Sequence, residues 1–144
     1  MSDFYIFVSS KDYSRTLYPE NNAHDFIIDL GQRYELEGNY ECSLVQYRYA
    51  SKSNSSFGSF IVFCDLCTDS YIREHKLPVL KLINTRQSAK NPSTNSYMKL
   101  KTNQFNRLRI YLRDENLDLL KSGRLKIFTC VIHFRKCSNE FYSL

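Results

Sequence analysis

The groups in this chain that could do chemistry are few, and cysteine and histidine come first: 5 Cys and 3 His in 144 residues. Cys64-Asp65-Leu66-Cys67 is a C-x2-C, and Cys130-Val131-Ile132-His133 has C-x2-H spacing, so a full set of zinc ligands exists on paper. Both pairs lie in or at the edge of apolar, strand-like runs, where residues i and i+3 point to opposite faces. Neither contains the glycine or proline of a knuckle turn. These cysteines therefore read as small core residues, and no metal site is expected. His24, His75 and His133 are too scattered for a cupin-type centre, which needs two histidines one residue apart near a glutamate. There is no G-x-S-x-G nucleophile elbow and no glycine-rich phosphate loop. Asp114, Glu115 and Asp118 cluster in a turn-like stretch, where carboxylates are solvated and make a poor acid/base pair. No catalytic residue and no cofactor is expected.

The basic residues are better organised. Lys99 and Lys101 share parity on one strand-like run, and Arg107, Arg109 and Arg113 share parity on the next. If the two runs pair as a hairpin, their polar faces merge into one positive stripe. Such a stripe suits phosphate neutralisation, including nonspecific contact with packaged DNA. It equally suits the solvent face of a half-buried hairpin, with lysines discouraging edge-to-edge aggregation.

These residues must be held by short Tyr/Phe/Ile/Leu/Val runs cut by polar turns. The first strand is expected at about Asp3–Ser9, with Phe4, Ile6 and Val8 on one face. The second, about His24–Leu30, alternates with Phe26, Ile28 and Leu30 inward. Gly31 and Gly38 bracket a link whose Tyr34 and Leu36 can touch the core. The third, about Asn39–Tyr49, changes phase: Tyr40, Cys42 and Leu44 share one face, then Val45, Tyr47 and Tyr49 the other, as a β-bulge or a bend would produce. The fourth spans Ser59 to about Cys67, and Tyr71–Lys76 is ambiguous, admitting one short helical turn. The fifth is Leu77–Ile83, with Pro78 near its start. The sixth and seventh are about Ser96–Lys101 and Phe105–Arg113. Asp114–Gly123 reads as a helical turn or hydrophobic plug. The eighth, Arg124–Arg135, is apolar on both faces, as for a central strand or one whose outer face meets a neighbouring subunit. Lys11–Asn22, Ala50–Gly58 and Asn84–Asn95 read as loops. The tail from about 136 carries Phe141 and Tyr142, which can dock on a partner.

Composition bounds the rest. The length suits one domain with a sizeable core. The chain is 42% hydrophobic and 15% aromatic, with 11 Tyr and 10 Phe, a bias toward strands and half-wet surfaces. A net charge of +5 permits an acidic partner without requiring one. No run approaches the roughly 18 to 20 apolar residues of a membrane helix. An odd number of irregularly spaced cysteines is a poor disulfide framework. Met1-Ser2-Asp3-Phe4 carries no leader-like pattern, so the expectation is a protein made inside the cell with reduced thiols, without membrane contact. About eight antiparallel strands in one domain spanning 1–144 point to an all-β single jelly-roll β-sandwich. An immunoglobulin-like sandwich is the second choice, lacking here the paired cysteines and tryptophan of its best-known form.

A set of runs in order carries a resemblance. It comprises Phe4 to Ser10, Tyr18 to Asn22 leading into Asp25 to Leu30, Gly38 to Val45, Cys64-Asp65-Leu66, Leu77 to Lys81, Leu108 to Asn116, and Leu125 to Arg135. Together these resemble the single-jelly-roll minor capsid (penton) proteins of Maverick/Polinton-type elements and adintoviruses over about residues 4 to 135. One departure is the turn after Arg113, where Asp followed by Gly is expected and Asp114-Glu115-Asn116 stands. The resemblance implies a non-enzymatic virion protein, a homopentamer closing icosahedral fivefold vertices beside a double-jelly-roll major capsid protein. The alternative from the residues alone is a β-sandwich module binding nucleic acid or glycan through loops or the basic stripe.

Overall fold

The structure, a computed structural model, describes residues 3–12, 16–51, 59–84, 96–120 and 125–137. Within them lie ten strands: β1 (Asp3–Ser9), β2 (Asp25–Glu35), β3 (Tyr40–Ser51), β4 (Phe60–Cys64), β5 (Ser70–Ile72), β6 (His75–Leu77), β7 (Val79–Ile83), β8 (Met98–Lys99), β9 (Gln104–Asp114) and β10 (Leu125–Lys136). A single 3-10 turn, Ser10–Asp12, follows β1. Eight strands form two four-stranded antiparallel sheets, ordered β1-β10-β3-β8 and β2-β9-β4-β7. Consecutive strands of the two sheets alternate between them except for β4 and β7, which pair directly, and the last pairs with the first, which is the Greek-key order of a jelly roll. The remaining two, β5 and β6, form a hairpin inserted between β4 and β7. Of the loops expected at 50–58 and 84–95, residues 50 and 51 belong to β3 and residues 52–58 and 85–95 lie outside the described residues, as do residues 138–144 of the tail, with Phe141 and Tyr142.

The core is the layer between the sheets. Ile6 and Val8 of β1, Phe128, Cys130, Ile132 and Phe134 of β10, and Cys42 and Leu44 of β3 face Phe26 of β2, Leu108, Ile110 and Leu112 of β9, and Phe60 and Val62 of β4. At one end four rings close a cycle across the sandwich: Phe4 stacks on Tyr34 (5.2 Å) and Phe134 (4.8 Å), and Phe105 on Tyr34 (5.2 Å) and Phe134 (5.8 Å). At the other end Phe60 meets Tyr49 and Phe128 edge-on. Tyr34 and Leu36 do pack against the core.

Three local expectations are corrected and one ambiguity is resolved. In β3 the register jumps from Leu44 opposite Ile132 to Gln46 opposite Val131. Val45 is the extra residue of a β-bulge, so Tyr47 and Tyr49 return to the side of Cys42 and Leu44 instead of crossing to the other face. The ambiguity at Tyr71–Lys76 resolves to a hairpin and not to the helical turn it admitted. Its β-favouring Tyr71 and Ile72 pair with Lys76 and His75 around a two-residue turn in which Arg73 takes φ 55. The fourth strand stops at Cys64, and Cys64–Cys67 closes a turn by a Cys67 N–H to Cys64 carbonyl bond of 3.1 Å, without glycine or proline. Asp114–Leu120 forms no helix. The Asp114 carboxylate accepts the Asn116 and Asp118 N–H groups, both at 2.9 Å, Leu117 takes φ 67, and Leu120 plugs into the core.

The β2 edge is blocked by a side chain. Asn21 is buried, and its amide donates to the Ile27 carbonyl and accepts the Ile27 N–H, both at 3.0 Å, mimicking a strand partner. Asn21→Ala leaves both Ile27 groups unpaired and should cost about 2 kcal/mol, against about 3–5 kcal/mol for Phe128→Ala in the core. Urea denaturation of the two variants checks both values and their order.

Candidate functional site

Topology divides the basic residues that the sequence aligned. Lys99 is in β8, opposite Glu41 of β3, while Arg107, Arg109 and Arg113 are in β9, between β2 and β4 of the other sheet. The expected pairing of the sixth and seventh strands as a hairpin is therefore corrected. The turn at 101–103 carries the chain from one sheet to the other. Lys101, Arg107 and Arg109 still converge electrostatically on Asp65.

Acids meet most of these cations. Arg109 grips Asp25 through a two-pronged pair, Nε to Oδ1 at 2.9 Å and Nη2 to Oδ2 at 2.8 Å, which holds its guanidinium even more firmly charged. Its backbone N–H donates to the Asp65 carboxylate at 2.9 Å, although burial raises that carboxyl above its usual value. Arg107 stands opposite Asp29, and Lys101 pairs with Asp69 at 3.6 Å. Arg113 donates to the Leu117 carbonyl at 3.2 Å, and its guanidinium and that of Arg109 both lie over the Tyr111 ring. The outcome is an interleaved, half-neutralised surface instead of one continuous positive stripe.

The outer faces of the two sheets differ. Every residue of β4 is buried, because the second sheet carries a cover. The β5–β6 hairpin and the 114–118 turn meet above it, joined by Arg73 donating to the Glu115 carbonyl at 2.8 Å. Beneath them is a groove of about 440 Å3 with Phe63 and Tyr111 as its aromatic floor and His75, Arg109 and Arg113 on its walls. His24, beside Arg113, has a buried Nδ1 with no partner among the described residues, and burial lowers its pKa.

The first sheet carries no such cover among the described residues. Tyr5 and Phe7 of β1 are 64% and 69% exposed, and a groove of about 540 Å3 runs from Phe7 past Val131, Thr129 and Ile127 to Gln46, Arg48 and Ala50. The exposed aromatics were readable: once Phe4, Ile6 and Val8 turn inward, Tyr5 and Phe7 must turn outward. At the end of this face His133 stacks under Tyr5 (4.6 Å), and its ring nitrogens reach Tyr97 Oη (2.8 Å) and Asp3 Oδ2 (3.2 Å). Arg135 covers the Tyr97 ring at 3.4 Å and pairs with Glu41 at 3.1 Å.

The cysteines do not form a ligand set. Cys42 and Cys67 approach to 3.6 Å and Cys64 adjoins Cys67, but no group of three His, Cys, Asp or Glu among the described residues has metal-holding geometry. Hydrogen bonding to neighbouring thiols, then burial, pushes the Cys64 and Cys67 thiols upward, and burial does the same for Cys130, so they remain protonated. No helix among the described residues is long and apolar enough to cross a membrane. No protein-family model matches the chain, and no curated protein matches its sequence.

Two measurements follow from this geometry. Lysine cannot reproduce the fork on Asp25, so Arg109→Lys should lower stability by up to about 1 kcal/mol in urea, a small value because both groups are partly exposed. For His24, the unfolded chain binds the proton more readily than the fold, so stability should decline as pH falls below its ordinary value of 6.5. His24→Gln should flatten that part of the stability–pH curve, as read by thermal melts between pH 8 and about pH 5.

Proposed function

We propose that this chain is a structural subunit of a virion: a minor capsid protein whose pentamer closes an icosahedral fivefold vertex, beside a double-jelly-roll major capsid protein. The reading rests on the ordered resemblance to single-jelly-roll penton proteins of Maverick/Polinton-type elements and adintoviruses. The observation that carries it furthest is the outer face of the first sheet, which nothing among the described residues covers. Large aromatics left on one face, beside a strand with apolar residues on both sides, suit a protein that buries that face in an assembly. A ring of identical subunits does so through heterologous contacts that close on themselves.

Nonspecific contact with packaged DNA fits less well, because Asp25, Asp29, Asp65 and Asp69 face or pair with the cations that would neutralise phosphates. A binding module for glycan or nucleic acid remains the second reading, favoured by the groove between Tyr111, Arg113 and His75. Light scattering across a concentration series separates the two. The virion reading expects a species of about five times the 17.1 kDa chain mass. A monomer at every concentration that gains mass only with added oligonucleotide or glycan would favour the binding module.

A further inference from the structure

The two sheets have four edge strands, β1, β8, β2 and β7, and three of these are guarded against further pairing. The β2 edge is met by the Asn21 amide, and its register breaks between Asp29 and Tyr34, around Gly31 at φ 77. The β8 edge is covered by the stretch after β4. There the Lys99 carbonyl accepts the Thr68 N–H at 2.8 Å, and the Lys101 N–H donates to the Leu66 carbonyl at 2.9 Å. β7 follows Pro78, slips in register against Val62 and Phe63 of β4, and carries Lys81 at its centre. Such devices keep a sheet from pairing with another chain. β1 has none of them. Its seven residues keep an unbroken register with β10 and include no proline, glycine or lysine. Its one charge, Asp3, stands at its start and pairs with His133. Among the described residues no backbone hydrogen bond reaches β1 from any strand but β10.

We infer that the free edge of β1 pairs antiparallel with β1 of a second copy, about a twofold axis beside Ile6. The contact goes beyond the ring proposed above and does not rest on it. Ring contacts are heterologous, whereas this one is isologous and joins two free copies or links one ring to another. The occupant is a second copy because β1 is complementary to itself. With Ile6 opposite Ile6, Phe4 meets Val8 on the core side and the exposed Tyr5 meets the exposed Phe7 on the outer face. Every one of these pairs is apolar, and aromatic pairs of this kind stabilise neighbouring strands. A slip by two residues would set Asp3 against Phe7, or Ser9 against Tyr5, and a slip by one would turn apolar residues to the wrong face. The pattern therefore selects one register.

Engineered thiols read that register. Tyr5→Cys with Phe7→Cys places a thiol opposite a thiol twice in the pair, while the five native cysteines are buried. Under mild oxidation this double variant should give covalent dimer about tenfold faster than either single variant, whose thiols are offset along the strands. Cross-linking no faster than in the single variants would overturn the pairing and leave the edge to a strand from a different protein. Charge gives an independent reading. Tyr5→Lys with Phe7→Lys sets lysine opposite lysine and should raise the concentration needed for this pairing about tenfold. Tyr5→Lys with Phe7→Glu sets lysine opposite glutamate and should return it to within about threefold of the parent. Circular dichroism verifies that each variant is folded. A pentamer that survives in the lysine pair, with no preferential cross-link in the cysteine pair, sinks the strand pairing and leaves the ring reading intact. Preferential cross-linking in a chain that never exceeds a dimer supports the pairing and ends the ring reading.

Discussion

Everything else in this molecule depends on one apolar layer, closed from both sides by two sheets. Strand side chains alternate, so a residue either joins that layer or faces away from it. At one end the layer is locked by four aromatic rings contributed by four strands, two from each sheet. At the other end Phe60 wedges between Tyr49 and Phe128. Rings of this size bury large areas and tolerate few relative orientations, so they set both the spacing and the alignment of the sheets.

With the interior assigned, the outer faces are left to do different work. The second sheet is sealed by its own hairpin and turn, and its arginines are tied to neighbouring carboxylates or aromatic rings. The first sheet has Tyr5, Phe7 and Val131 facing outward. Among the described residues, an inserted hairpin covers one face while aromatics stand exposed on the other, which divides that surface into a finished side and an unfinished one. That asymmetry, more than any cluster of reactive groups, is what the assembly reading builds on.

Much of this was legible in the residues. Alternation placed Phe26, Ile28 and Leu30 of β2 and Phe60, Val62 and Cys64 of β4 toward the core, and the jelly-roll class followed from the number and rhythm of such runs. The errors share one physical origin, since pairing partners are nonlocal and a local pattern cannot name them. Lys99 and Arg107 looked like hairpin neighbours because they are close in sequence, yet they sit in different sheets. The phase change in β3 was visible, but whether Val45 bulges or the later residues change face depends on β10, which follows about 80 residues on. How the turns without glycine are built was missed for another reason. Asp114 builds its turn with a side-chain carboxylate, and Leu117 and Arg73 adopt backbone angles that their residue types give no reason to expect.

The burial of all five cysteines has an experimental consequence. A thiol reagent cannot reach any of them until the fold opens, and Cys42, Cys64, Cys67 and Cys130 lie in or beside strands drawn from both sheets. Incorporation of a small alkylating agent therefore records the frequency with which the sandwich comes apart. The same burial makes the chain a quiet background for chemistry at chosen positions. One cysteine introduced at an exposed position would take a fluorophore or spin label selectively, while the five native thiols stay silent.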